Sequence, residues 1–108
     1  MHWIFAHLIG DFLIQTDWMV EGKKRRSWIC LIHVATYMIP FIFTPLSWQQ
    51  LTCIAAQHFL QDRTQIVEWF MEHTGRRNFA EPPKGPWSFI LVDSIFHILF
   101  IALIEKIL

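Results

Sequence analysis

Trp3, Trp18, Trp28, Trp48, Trp69 and Trp87 sit at the ends of four apolar stretches, and none lies inside one. Tryptophan favours the boundary between water and hydrocarbon, because its ring is apolar and its N–H wants a partner. The stretches cover about residues 3–19, 28–45, 48–71 and 87–106, and at about 1.5 Å per residue each crosses or nearly crosses a hydrocarbon core about 30 Å thick. The expected fold is all-α: an integral membrane four-helix bundle with four transmembrane segments, forming one domain over residues 1–108.

Composition supports this. Hydrophobic residues make up 54% of the chain and charged residues 17%, whereas a soluble domain is about a quarter charged. The net charge is zero. Disorder is excluded, since it needs low hydrophobicity and high net charge. The absence of a basic excess argues against nucleic acid as a partner.

Charge sets the expected orientation. Lys23, Lys24, Arg25 and Arg26 fill the first connection, and Arg76, Arg77 and Lys84 lie in the third. The second, around residues 44–50, is uncharged. The positive-inside rule then places connections one and three in the cytoplasm and both termini outside, in a cytoplasmic (inner) membrane. The first stretch has no basic region before it and no small-residue cleavage site after it, so it reads as structure rather than a signal peptide. Pro40 should kink the second helix, and Glu81–Pro86 cannot continue one. The third stretch is the most polar, with Gln57, His58, Gln61, Asp62, Arg63, Gln65 and Glu68. Its polar face turns inward or lies in the interface. Cys30 and Cys53 show no CxxC or zinc-ribbon spacing and read as free thiols.

Ionisable residues inside a membrane are costly and point to function. Here they form a pattern: His7 and Asp11, His58 and Asp62, Asp93 and His97, each pair one helical turn apart on one face. Composition alone gives roughly 0.4 such pairs. In the expected topology all three histidines lie on the outer side of their aspartates, and His33 joins them from the second helix. Imidazole and carboxylate together suit zinc first, with iron or manganese as alternatives, and helical bundles build dinuclear sites from such residues. One or two Zn²⁺ ions are expected on His7, Asp11, His33, His58, Asp62, Asp93 and His97. Gln15 and Tyr37, one turn from Asp11 and His33, are candidate supporting hydrogen-bond partners. Arg63 either snorkels to headgroups or holds a phosphate.

The run His7-Leu-Ile-Gly-Asp11-Phe-Leu-Ile-Gln15, with His33, His58, Asp62, Asp93 and His97, resembles a small bacterial and phage integral membrane family known only as a domain of unknown function. The likeness covers most of the chain and implies no activity. More distantly, the His/Asp helices resemble the membrane-bound metal-dependent hydrolases, which by analogy implies hydrolysis of a lipid or phosphoester. The leading expectation is therefore a metal-dependent hydrolase. Its metal would activate water, Asp62 would act as general base, and its partners would be the bilayer and an amphiphilic substrate. Three rivals stay open. One is a metal or proton relay, which would need a homo-oligomer to enclose a pore. Another is a haem bundle, disfavoured by the aspartates. The last is an accessory membrane protein with a structural metal.

Overall fold

A computed structural model describes residues 1–74 and 85–108, with the backbone alone for 85–87. The described residues are helical, without strands. The first stretch holds α1 (Trp3–Leu8), a π-helical turn (Ile9–Leu13) and α2 (Asp17–Gly22). The second holds α3 (Ser27–Met38), passing into a 3₁₀ turn (Ile39–Phe43). The third holds α4 (Trp48–Arg63) and α5 (Ile66–His73), and the fourth is α6 (Gly85–Ile107). Arg76, Arg77, Lys84 and the Glu81–Pro83 part of the third connection lie outside the described residues.

Local chemistry sets the breaks. Thr16 accepts a hydrogen bond from the Met19 N–H at 3.3 Å and restarts the chain as α2. Pro40, lacking an N–H, falls where α3 tightens to 3₁₀ geometry, so the expected kink is realised as a change of helix type. Ser47 and Gln50 form a reciprocal capping box that starts α4. At Thr64 and Gln65 the chain leaves α4 and re-enters a helix as α5.

These breaks correct the expectation of four membrane spans. Among the described residues one helix, over Ser88–Ile107, is long and apolar enough to cross a bilayer. The run from α3 through the 3₁₀ turn, Ser27–Phe43, rises about 28 Å, and the 16 residues of α4 rise about 24 Å and are polar along one side, against a core about 30 Å thick. Apolar composition suggests continuous helices, whereas Thr16 and Thr64 mark breaks within the first and third stretches.

Helix α3 packs on α4, and α4 packs on α6. Trp3, Ala6, Tyr37, Phe41, Ile54 and Ile101 form the apolar core. Full burial of a side chain such as Phe41 or Ile54 contributes about 1.5–3 kcal/mol. Trp3 is a core residue rather than a boundary residue, while Trp18, Trp28, Trp48 and Trp69 are exposed. Large apolar side chains are exposed around the molecule, among them Leu13, Ile42, Phe43, Leu60 and Leu99. Both cysteines are free thiols, Cys30 buried and Cys53 half-buried.

Candidate metal centre

The buried interior is polar at its centre. His33, His58 and Asp62 project from α3 and α4, and Asp11 from the π-helical turn, all of them buried. His33 and His58 face each other, Nε2 to Nε2, at 2.9 Å. Asp62 Oδ2 lies 2.9 Å from His33 Nε2 and 3.0 Å from His58 Nε2. Asp11 Oδ1 lies 3.4 Å and 3.6 Å from the same two nitrogens. Four ligand atoms thus surround one point.

The spacing suits a metal. Donors about 2.0–2.1 Å from a tetrahedral zinc ion stand about 3.3–3.4 Å apart. The five separations above bracket that edge. Asp11 Oδ1 is buried with no hydrogen-bond partner, an arrangement that costs free energy unless something else satisfies the oxygen. Neutral imidazoles with their protons on Nδ1, where both nitrogens are buried without a partner, would offer both Nε2 lone pairs to an ion at this point. The His58 ring is fixed by stacking, 3.7 Å from the Tyr37 ring centroid and 3.9 Å from that of His97.

The π-helical turn delivers Asp11. It closes with the Ile14 N–H donating to the Ile9 carbonyl at 3.0 Å, an i to i+5 bond. Such turns are rare and occur frequently at functional sites. The turn also separates the expected His7–Asp11 pair. Asp11 reaches His33 and His58, whereas His7 Nδ1 lies 2.8 Å from the Tyr37 hydroxyl and Nε2 2.9 Å from the Ser94 hydroxyl. Both His7 nitrogens are therefore engaged, and His7 stands outside the ligand set. Burial pushes the His7 imidazole down to about 4, against the attraction of Asp11, which keeps it a neutral brace between α1, α3 and α6.

Asp11, Asp93 and His97 form a second, adjoining group. A glutamine engages two of its members. The Gln61 amide donates to Asp93 Oδ1 at 2.8 Å and lies 3.3 Å from His97 Nε2. His97 Nε2 is also 3.2 Å from Asp62 Oδ1, and its Nδ1 is 3.2 Å from Gln57 Oε1.

Lys23 completes the cluster. Read from sequence as part of a cytoplasmic connection, it is buried, and its ammonium donates to Asp62 Oδ2 at 3.1 Å and to Gln15 Oε1 at 2.9 Å. Burial disfavours its charge, but Asp62, Asp11 and Asp93 outweigh that and hold its pKa above the ordinary lysine value. Three carboxylates, Asp11, Asp62 and Asp93, meet the one ammonium of Lys23 here, an excess of acidic groups that a bound cation would offset. Arg63 is turned to the basic connection rather than to the cluster. It donates to the Ser27 hydroxyl and to the Lys24 and Arg25 carbonyls, fastening the basic connection to the end of α4.

Gln15 and Tyr37 both support the site. Gln15 bridges the Asp11 carbonyl and Lys23, and Tyr37 braces His7 and stacks on His58. Sequence reasoning missed Lys23, Gln57, Gln61 and Ser94. Gln57 and Gln61, one turn apart on the helix that carries His58 and Asp62, offered the one legible signal.

Fold and site together define an all-helical protein with a buried Asp/His cluster able to hold a metal ion. The chain belongs to the family described as "Protein of unknown function (DUF3307)", whose model matches residues 1–108. No curated protein and no solved structure matches the chain.

Proposed function

We propose that this protein is a membrane-associated, metal-dependent hydrolase that holds one divalent ion on Asp11, His33, His58 and Asp62. The observation that carries the reading is the convergence of those four atoms at separations of 2.9–3.6 Å. Two imidazoles with two carboxylates favour zinc, with iron or manganese as alternatives. The engagement of Asp93 and His97 by Gln61 favours one ion over two. Membrane association rests on the span-length helix α6 and on the exposed apolar side chains.

An ion in this cluster supplies Lewis acidity to an ester and to water. Water adds to the phosphorus or acyl carbon, the ester oxygen leaves as an alcohol, and the proton lost by the water reaches that alcohol. Asp62 is a poor carrier for this proton, since both of its oxygens are held within the protein. Asp93 takes the role of base, because its carboxylate borders both the cluster and a cleft open to the surface.

The zinc-loaded protein is expected to release p-nitrophenol from p-nitrophenyl phosphate or bis(p-nitrophenyl) phosphate. Asp93→Asn is expected to slow this about 100-fold, the scale of a lost general base, while retaining bound zinc. Stoichiometric zinc without turnover of either ester, or of a phospholipid, contradicts the hydrolase reading.

A further inference from the structure

A cleft of about 290 Å³ lies beside the cluster, between the π-helical turn, the α2 end and α6. Asp11 and Asp93 form its inner wall, Lys23 and Lys24 flank it, and Phe89 and Ile90 form its apolar side. We propose that this cleft binds a lipid phosphate: its phosphate between the two lysines and the ion, and its chain along Phe89 and Ile90 onto the exposed apolar face of α6. This inference rests on the metal-dependent reading above, since without the ion the two carboxylates would repel an anion.

Three observations support it. First, each lysine has donor capacity left. An ammonium carries three N–H groups. Lys23 uses two on Asp62 and Gln15, and Lys24 uses two on the Asp62 and Thr64 carbonyls. Second, Lys24 Nζ lies 5.5 Å from the centroid of the Phe89 ring, so cation and apolar wall adjoin as headgroup and chain do in an amphiphile. Third, the volume accommodates a phosphate and the first few carbons of a chain. The rest would run out along Ile90, 50% exposed, and Leu91, 47% exposed, on the span-length helix. That position is open to a molecule arriving from the bilayer, and it places a phosphoester next to Asp93.

The test is calorimetric titration of the zinc-loaded protein in neutral detergent with octyl phosphate, inorganic phosphate and octyl glucoside, with bound zinc quantified in every sample. Octyl phosphate is expected to bind at least about tenfold more tightly than inorganic phosphate, and octyl glucoside not to bind. Ile90→Trp, which fills the apolar side, is expected to weaken octyl phosphate about tenfold while leaving bound zinc and phosphate affinity unchanged. Equal affinity for inorganic and octyl phosphate identifies a free-anion site and overturns the lipid assignment. Bound zinc without octyl phosphate binding, or an Ile90→Trp protein that binds it as the wild type does, overturns the cleft. Folded protein that takes up no zinc overturns the underlying reading, and the inference falls with it.

Discussion

Asp62→Ala is expected to destabilise the metal-free protein by about 3–5 kcal/mol, the cost of removing one partner from a buried ionic network. Asp62 is fully buried, and its two oxygens receive the Lys23 ammonium and three imidazoles. Its loss strands the Lys23 charge in a low-dielectric interior, where an unpaired ion is far more costly than a paired one. Lys23→Met in the same chain removes the stranded charge and is expected to recover at least about half of the loss, as coupled neighbours do. Denaturant unfolding of the two single variants and the double variant in chelator measures this coupling. Additivity within about 0.5 kcal/mol would show that Lys23 and Asp62 are independent, contrary to the 3.1 Å ion pair.

The second large effect is expected at Gly10. A Cβ there would stand 2.7 Å from both Tyr37 Cδ1 and the Tyr37 carbonyl oxygen. The side chain can move, but the α3 backbone cannot follow without shifting His33. Gly10→Ala is therefore expected to cost about 1–3 kcal/mol by overpacking. It is also expected to weaken metal binding about 10–100-fold, as the loss of ligand positioning does, because the displaced turn carries Asp11. Gly22→Ala is the comparison. The three atoms nearest its new Cβ belong to the Ile29 side chain, away from the turn that carries Asp11, so it is expected to leave metal affinity unchanged. Wild-type metal affinity in Gly10→Ala would show that the close approach of the π-helical turn to α3 does not place Asp11.

The helical class was legible because apolar residues recur at helical spacing, and so were most of the candidate ligands. His33, His58 and Asp62 are legible because charged and imidazole groups stand out in apolar sequence. The His58–Asp62 pairing survives because α4 is a regular helix there. The His7–Asp11 pairing does not, because one i to i+5 bond moves Asp11 off the His7 face. Nothing in His-Leu-Ile-Gly-Asp announces a π-helical turn. Only the contact of Gly10 with Tyr37, 27 positions downstream in sequence, explains it. Lys23 was hidden by its company, since one lysine among four consecutive basic residues reads as solvated surface. Its burial follows from the short α2 turning back onto α3, a tertiary event. The expected spans were overextended for a related reason. Trp and Phe content records how apolar a stretch is, but Thr16, Pro40, Ser47 and Thr64 decide where its helices stop.

The central claim is that Asp11, His33, His58 and Asp62 hold one divalent ion. Elemental mass spectrometry of the detergent-purified wild type, beside Asp11→Asn, His33→Ala and the exposed-site control His73→Ala, tests it most directly. About one zinc, iron or manganese ion per chain is expected in the wild type and in His73→Ala, and less than about a tenth of that in Asp11→Asn and His33→Ala, as when a ligand is lost from a four-coordinate site. A folded wild type without metal, or full occupancy in both ligand variants, would contradict it.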